Sequence, residues 1–346
     1  MADSHRRTVP GNTFPREVAQ TDTPMQIEIA VIMDSIGSIK IHKDSTFAML
    51  LEAQRRDWGI QYLEQDCIFV QDGVALGSMR PLSVADDPRG WFELGATAER
   101  RLSDCAIILM RKDPPFDMEY IYTTYALELA GEAGALVINA PAALRDCNEK
   151  LSTAWFPQCC VPTLVSREHD RLREFIRTHG TAILKPLDTM GGESVFRVAR
   201  GDPNTNVTIE TLTIRGKRTI MAQRFIPEVE QGDKRILLVD GKPTPWALAR
   251  IPGEGEARAN LAAGGTGEGI ALNDRDRWIC TQVGPELSRR GILFAGIDVI
   301  GEFLTEVNIT SPTCIRELDA LYGLNISAEL LDAAERRLSG RSEPRT

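Results

Sequence analysis

Apolar residues in the first half of the chain recur in a strand, loop and helix order. Residues 27–34, IEIAVIMD, are almost all apolar, which is typical of a strand buried on both faces of a parallel sheet. Asp44 or Ser45 is positioned to cap the helix that follows over 46–57. Gly59 is expected to end that helix before the next strand. The pattern predicts the start of a doubly wound α/β unit.

A second unit of the same kind occupies residues 105–139. It contains a buried strand within 105–117, a helix over 119–134 and a strand over 135–139. A turn and a helix follow, and we place a domain boundary near residue 147.

The remainder of the chain is predicted to contain hairpins and two further helices. A helix over 167–180 precedes a strand, a glycine-containing turn and a second strand over 181–198. The dipeptide at 240–241, Asp-Gly, lies between alternating apolar residues and predicts a tight hairpin. A helix over 274–291 then leads to a final hairpin over 296–312.

Lys185 closes a predicted strand directly before the turn that holds Gly191 and Gly192. An ammonium and several backbone N–H groups in this arrangement can bind a polyphosphate. Taken alone, the segment is better explained by an edge-strand lysine before an ordinary turn, because glycine-rich turns are common. The chain has no GxxxxGK[ST] motif, and no GxGxxG lies between a strand and a helix, so neither nucleotide-binding fingerprint is predicted.

The final hairpin carries three oxygen-bearing side chains. Glu306 and Asn308 are two positions apart and therefore share a strand face. A three-residue loop at 301–303 is expected to set Asp298 opposite Glu306, whereas a two-residue turn would place the acids on opposite faces. Such hard ligands suit Mg²⁺. A solvated strand face is the alternative, but Asp298 interrupts an apolar run where an unpaired carboxylate is costly, which favours a metal site.

Two segments have a less specific pattern. Residues 222–228, AQRFIPE, can form a hinge on which an adenine ring stacks, and an edge strand ending at proline is equally plausible. Residues 250–268 are rich in glycine and alanine without an apolar period. They are expected to run from a strand ending at Arg250 to a helix beginning near Asp274, either as a linker or as a mobile active-site loop.

Composition excludes several classes of function. A net charge of −9 argues against broad binding to nucleic acid or anionic membranes, and no apolar run is long enough to span a bilayer. Seven irregularly spaced cysteines and four scattered histidines favour reduced thiols in a cytoplasmic protein over a disulfide framework or a histidine metal centre. Residues 1–25 are polar, contain three prolines and are predicted to form a disordered tail.

Six segments together resemble the bacterial glutathione synthetases of the ATP-grasp superfamily. They are MRKDPPFD (110–117), NAPAALRDCNEKLSTAWF (139–156), ILKPLDTMGG (183–192), GDKRILLVDG (232–241), NLAAGG (260–265) and TEVNITSPTCIRE (305–317). The resemblance covers residues 27–340. It implies an α/β fold with a Rossmann-like, pre-ATP-grasp domain over 26–147 and an ATP-grasp domain over 148–340. A lid subdomain at about 148–222 and a mobile loop at about 250–268 are implied within the second domain.

The resemblance also implies the reaction and the site. ATP, γ-glutamylcysteine and glycine would give glutathione, ADP and phosphate in a cytoplasmic homotetramer. The implied ATP contacts are Lys150, Lys185, Met190, Gly191, Gly192, Gln223, Arg224, Phe225, Ile226 and Asp233. The implied catalytic residues are Arg235, Arg250, Arg258 and Asn260. Asp298, Glu306 and Asn308 would hold Mg²⁺, or alternatively Mn²⁺, and Arg111 and Ser311 would contact peptide or product.

Two other hypotheses compete with this one. Another ATP-grasp carboxylate–amine ligase, such as a D-alanine–D-alanine ligase, would share the lysines and acids, but those enzymes usually carry Arg two positions before the first acid, where this chain has Gly296. A non-catalytic ATP-binding regulator that resembles synapsins would be expected to lose a metal ligand or a loop arginine, and this chain retains all of them.

Thr189 and Ala259 stand where glycine is common in the family, and unusual backbone angles are expected there.

Overall fold

The computed structural model describes residues 27–251 and 266–342, which form three β-sheets and their covering helices. The predicted tail at 1–25 and most of the stretch at 250–268 lie outside the described residues. Among the described helices, none is both long and apolar enough to cross a membrane.

The first sheet has a parallel centre and an antiparallel edge. In chain order its strands are β1 (Glu28–Ile32), β2 (Gly59–Leu63), β3 (Ile68–Gln71), β4 (Val74–Val84), β5 (Phe92–Leu94), β6 (Ala98–Arg101), β7 (Ile107–Met110) and β8 (Leu136–Ile138). They are ordered β3-β4-β2-β1-β7-β8, with β5 and β6 also paired to β4. The accompanying helices are α1 (Ser45–Arg55), α2 (Met118–Glu132) and α3 (Pro141–Asp146). The doubly wound unit is confirmed, and the antiparallel edge is an addition to the prediction.

After Glu28, β1 is apolar because both of its faces are buried. Ile29 and Val31 belong to the same core cluster as the inner face of α1, whereas Ala30 and Ile32 belong to the cluster that includes α2. α1 is capped by Asp44, whose Oδ1 accepts a hydrogen bond of 2.7 Å from the backbone N–H of the third helical residue. The helix ends at residue 55, so the prediction that Gly59 ends it is wrong: Gly59 is the first residue of β2.

The second sheet is small and antiparallel. Its strands are β9 (Thr163–Ser166), β10 (Thr181–Pro186), β11 (Phe196–Ala199) and β12 (Ile220–Arg224), in the order β11-β10-β12-β9. Helices α4 (His169–His179) and α5 (Thr205–Leu212) cover it, and their apolar residues form with the strands a separate core cluster. The predicted hairpin of β10 and β11 is confirmed, while β9 and α5 are additional elements.

The third sheet supplies most of the polar residues described below. Its strands are β13 (Asp233–Val239), β14 (Lys242–Pro243), β15 (Trp246–Ile251), β16 (Thr266–Ala271), β17 (Phe294–Ile300) and β18 (Phe303–Asn308). The order is β16-β15-β13-β17-β18, and β14 pairs with β13. The remaining helices are α6 (Asp274–Arg289), α7 (Ile315–Tyr322) and α8 (Ile326–Ser342). Short 3-10 helices are Ile36–Ser38, Gln65–Cys67, Leu102–Asp104, Leu151–Trp155, Pro157–Cys159 and Pro227–Gln231.

The third sheet tests two sequence predictions, the Asp-Gly turn at 240–241 and the irregular stretch after Arg250. Asp240 and Gly241 have φ angles of 49° and 75°, the left-handed conformation that a tight hairpin turn requires, so the Asp-Gly turn is confirmed. The stretch predicted at 250–268 is shorter than expected at both ends, because β15 continues to Ile251, and β16 begins at Thr266 and places Gly267 opposite Arg250.

The side chain of Asn139 joins the first sheet to the third. Asn139 follows β8 and is buried. Its Nδ2 donates to the carbonyl oxygens of Phe294 and Ile309, both at 2.7 Å. Its Oδ1 accepts from the backbone N–H groups of Leu293 at 2.8 Å and Phe294 at 2.9 Å. One amide therefore satisfies four backbone groups of the other sheet.

We expect Asn139→Ala to lower the free energy of unfolding by at least about 3 kcal/mol, because four buried backbone groups lose their partner. Urea unfolding followed by circular dichroism measures this. Asn204→Ala, an exposed asparagine, is the matched control and should change the value by less than about 0.5 kcal/mol. Equal effects of the two changes would contradict the role given to Asn139.

Candidate active site

A cavity of about 920 Å³ opens between the second and third sheets and the loops that follow β1 and β7. The carboxyl ends of parallel strands are common ligand sites in α/β proteins. The sequence-predicted residues that line it are Lys150, Lys185, Met190, Gly191, Gly192, Gln223, Arg224, Phe225, Ile226, Asp233, Arg235, Arg250, Asp298, Glu306, Asn308 and Ser311. Arg258 and Asn260 lie outside the described residues. The structure thus brings together every described residue of the prediction except Arg111.

Four charged side chains of the third sheet form an almost entirely buried cluster. Arg235 on β13 faces Asp298 on β17 and donates to both carboxylate oxygens, with the Nη2 bond at 2.8 Å. Arg250 on β15 faces Asp233 on β13. Its Nη2 lies 2.6 Å from Asp233 Oδ2 and 2.9 Å from Asp298 Oδ2. The cluster therefore ties three adjacent strands together.

The pKa values of the two aspartates in the cluster are shifted in opposite directions. Burial alone would raise the pKa of Asp298, but the guanidinium groups of Arg235 and Arg250 outweigh it and hold that pKa below its usual range. Burial raises the pKa of Asp233. The guanidinium group of Arg250, the largest opposing charge, does not offset that shift. Among the described residues, Asp233 Oδ1 and Arg250 Nε have no hydrogen-bond partner. Both atoms are buried polar groups at the cavity wall.

The turn between β17 and β18 has two residues, Gly301 and Glu302, so the predicted three-residue loop is wrong. Such a turn by itself would set Asp298 opposite Thr305 and direct Glu306 to the other face. A β-bulge leaves Thr305 unpaired and brings Asp298 opposite Glu306. The predicted pairing of the two acids holds, but a bulge produces it rather than the loop length.

Lys185 reaches from β10 to β18. Its ammonium donates to the carbonyl oxygen of Thr305 at 3.3 Å and lies 3.5 Å from Glu306 Oε1. Burial lowers the pKa of Lys185, and Glu306 opposes that shift. Asn308 Nδ2 lies 3.2 Å from Asp298 Oδ2. The three predicted metal ligands and a lysine of the second sheet therefore share one wall.

Lys150 holds the glycine turn of the second sheet. Its Nζ donates to the carbonyl oxygen of Thr189, and Gly191 and Gly192 have φ angles of 65° and 78°, which favour glycine. Thr189 has no positive φ, so the unusual backbone angle expected there is not found. Ala259 lies outside the described residues.

Residues 223–226 continue β12 along the cavity wall. Gln223 and Ile226 are buried, whereas Arg224 is exposed. The backbone N–H groups of Arg224 and Phe225 already donate to carbonyl oxygens of neighbouring segments. A nucleobase here would meet the carbonyl groups of this segment and the side chains of Phe225 and Ile226.

Arg111 is buried behind the cavity wall rather than in it. Its Nη2 donates to the carbonyl oxygen of Pro312 at 2.9 Å and its Nε to Thr46 Oγ1 at 3.1 Å. Burial lowers its pKa. Arg111, for which a contact with peptide is expected, does not line the cavity: its guanidinium supports the loop that carries Ser311, which does line it.

Glu149 is a cavity residue that the sequence prediction misses. Its Oε1 accepts from the backbone N–H groups of Ile309 at 2.8 Å and Thr310 at 3.0 Å, and from Thr310 Oγ1 at 2.9 Å. Its carbonyl oxygen accepts from Val307 N at 2.8 Å. These bonds fix the end of β18 beside Lys150. The only sequence signal is the position next to that lysine, because the partners lie 160 and 161 residues away.

Comparisons with known proteins agree with the geometry. The family model of the prokaryotic glutathione synthetase N-terminal domain matches residues 27–145, and that of the ATP-grasp domain matches 149–323. The chain belongs to the prokaryotic glutathione synthetase family. The glutathione synthetase of Pseudomonas putida is 55% identical over 317 residues, which cover 92% of this chain and 100% of that protein. The one from Xanthomonas campestris pv. campestris is 57% identical over 311 residues, which cover 90% and 98%.

Membership in this family makes the chain an ATP-dependent ligase and confirms the predicted fold, an N-terminal α/β domain followed by an ATP-grasp domain. A crystal structure of a D-cycloserine synthetase superposes with a TM-score of 0.62, over 90% of this chain and 99% of the other, at 14% identity. At that identity the similarity concerns the fold alone.

The oxygen-bearing side chains of β17 and β18 fit a hard divalent cation. Asp298, Glu306 and Asn308 supply carboxylate and amide oxygens, and the Glu306 side chain is 27% exposed to the cavity side. The described part of the chain contains no group of three or more His, Cys, Asp or Glu side chains that could hold a metal. A cation here would depend on further oxygens from a bound phosphate, which is how Mg²⁺ is commonly held.

We expect Asp298→Asn to lower the free energy of unfolding by about 3 to 5 kcal/mol, because it leaves two buried guanidinium groups without their shared counter-charge. Glu306→Gln is the matched change in the facing acid and should cost less than about 1 kcal/mol, because its contact with Lys185 is long and partly exposed. Urea unfolding measures both. Similar losses in the two variants would show that the cluster does not depend on Asp298.

Proposed function

We propose that the chain joins γ-glutamylcysteine to glycine at the expense of ATP and forms glutathione, ADP and phosphate. The cysteinyl carboxylate would take the γ-phosphoryl group to form an acyl phosphate, from which the glycine amine displaces phosphate. The observation that carries the proposal is the convergence of Lys150, Lys185, Arg235 and Arg250 on one cavity. The ammonium groups of Lys150 and Lys185 contact mainly carbonyl oxygens and can neutralise the phosphate oxygens of a nucleotide.

The nucleotide would lie against the second sheet. Lys150 and Lys185 would neutralise phosphate oxygens, and the turn at Met190–Gly192 would cover them with backbone N–H groups. The side chain of Met190 is 48% exposed, which leaves it accessible to a ligand. Residues 223–226 would hold the adenine, and Asp233 completes the ATP contacts of this proposal.

Asp298, Glu306 and Asn308 would hold Mg²⁺, with Mn²⁺ as the alternative. A divalent cation bound there supplies charge neutralisation on the phosphate oxygens. The protein's own part is to keep Asp298 ionised through its two arginines and to orient Glu306 through the bulge of β18.

Arg235 and Arg250 would stabilise the charge that develops during phosphoryl transfer. Their partners hold both guanidinium groups in place before substrate binds, so little reorganisation accompanies the reaction. Arg258 and Asn260, which lie outside the described residues, would also bind the acyl phosphate, as the family resemblance implies.

The space beside Gly296 argues against a D-alanine–D-alanine type of site. A Cβ atom at position 296 would lie 2.8 Å from Cδ of Arg235. The space next to this position is therefore filled by an arginine of the neighbouring strand, and an arginine at 296 would displace it. This packing favours the glutathione reaction over the alternative ligase.

The domain limits, the cellular location and the assembly are further parts of this proposal. The lid subdomain at about 148–222 is supported over residues 164–222 by the separate core of the second sheet, and the domain limit at about 147 stays an expectation. Cytoplasmic location and a homotetrameric assembly follow from the family resemblance.

ADP release measured with ATP, Mg²⁺ and γ-glutamylcysteine tests the reaction. We expect glycine to stimulate release strongly, because the amine removes the acyl phosphate and allows turnover. D-Alanine and other amines are the controls. Stimulation by another amine but not by glycine would show that the substrate assignment is wrong.

Arg258→Ala should lower kcat by roughly 100-fold while the thermal midpoint changes little, because the residue is proposed to act on the acyl phosphate and not in the core. Shortening the loop should act in the same direction. Arg89→Ala, which removes an arginine with 89% side-chain exposure, is the control. Unchanged turnover in the loop variants would assign 250–268 as a linker.

A further inference from the structure

The cavity has a second wall, away from the nucleotide-binding strands. It is formed by the loop before α1 and by the first turn of α7. Lys43, two residues before α1, and Glu317, in the first turn of α7, both line this wall and are half-buried. Neither residue has a part in the phosphoryl-transfer chemistry described above.

Glu317 differs from the other acids of this wall. Asp34 is paired with Lys112 at 2.8 Å, and Asp44 accepts the capping bond of α1. Oε2 of Glu317 is buried and has no hydrogen-bond partner among the described residues. Burial raises the pKa of Glu317, and Lys43 is the largest of the charges that oppose the shift. An unpartnered carboxylate oxygen is costly, which indicates that a ligand supplies the missing donor.

The position of Glu317 fits one part of the substrate. Cys314, the N-cap of α7, is buried close to Arg235 and Arg250, whose charges act on its thiol. Glu317 follows three residues later, about one helical turn from Cys314 and therefore near Arg235 and Arg250. γ-Glutamylcysteine carries its reacting cysteinyl carboxylate at one end and a free α-ammonium and α-carboxylate at the other. A carboxylate and an ammonium on the second wall are complementary to that zwitterionic end.

We propose that Glu317 binds the α-ammonium and Lys43 the α-carboxylate of the γ-glutamyl group. This inference rests on the proposed function and identifies the residues that select a γ-glutamyl substrate. Both side chains are specificity determinants, since they contact the end of the dipeptide that does not react.

Three substrates separate the two contacts. Glutarylcysteine lacks the α-ammonium, and 4-aminobutyrylcysteine lacks the α-carboxylate. We expect the wild-type enzyme to prefer γ-glutamylcysteine over each by roughly 10- to 100-fold in kcat/KM, the worth of a hydrogen bond to a charged group. The Glu317→Gln variant should lose the preference for γ-glutamylcysteine over glutarylcysteine and keep the preference over 4-aminobutyrylcysteine. The Lys43→Met variant should lose the preference over 4-aminobutyrylcysteine and keep the preference over glutarylcysteine. ADP release at saturating ATP and glycine provides the rates.

The design contains its own controls. Turnover of glutarylcysteine at the wild-type rate shows that Glu317→Gln is folded, and Glu329→Gln and Lys242→Met change exposed residues of the same types and should keep every preference. Equal losses with all three substrates in Glu317→Gln, or a rise in KM for glycine alone, would overturn the inference while leaving the proposed function intact. A wild-type protein without glycine-dependent ADP release overturns both.

Discussion

The geometry of the active site depends on the buried ion cluster of Arg235, Asp298, Arg250 and Asp233. Removing each charge from water costs several kcal/mol, and mutual attraction recovers that cost only when every partner is in place. The partners come from β13, β15 and β17, so the register of three strands must be correct at once. A slip by one residue would direct a guanidinium to the opposite face of the sheet. The residues proposed for phosphoryl transfer therefore also specify the arrangement of the sheet.

The remaining groups of the site are placed relative to that cluster. Asp298 cannot leave its arginines, so β18 accommodates the short turn by a bulge that brings Glu306 opposite it. The second sheet has its own apolar core and reaches the site chiefly through Lys185, while its glycine turn accepts a hydrogen bond from Lys150 through the carbonyl oxygen of Thr189. The cavity therefore lies between the separate core of the second sheet and the cores of the rest of the chain.

Three buried polar atoms at the cavity, Asp233 Oδ1, Arg250 Nε and Glu317 Oε2, have no hydrogen-bond partner among the described residues. Such atoms are costly in a folded protein and are concentrated where ligands bind. A substrate that supplied the missing partners would return the free energy that these atoms cost in folding. Two of them border the proposed phosphoryl-transfer site, and the third borders the proposed site for the γ-glutamyl end.

The sequence by itself determined the features whose cause is local. The continuous apolar run at 27–34 predicts β1, because burial on both faces requires it, and the Asp-Gly dipeptide predicts its turn, because the φ angles favour those residues. The resemblance located the lysines, arginines and acids that converge on the cavity. Only the tertiary structure decided that Arg111 supports a loop from behind the cavity wall, that a bulge pairs Asp298 with Glu306, and that Glu149 holds the end of β18. The physical reason is that these outcomes depend on hydrogen bonds and charges between segments distant in the chain, whose free energy leaves no local pattern of hydrophobicity or turn residues.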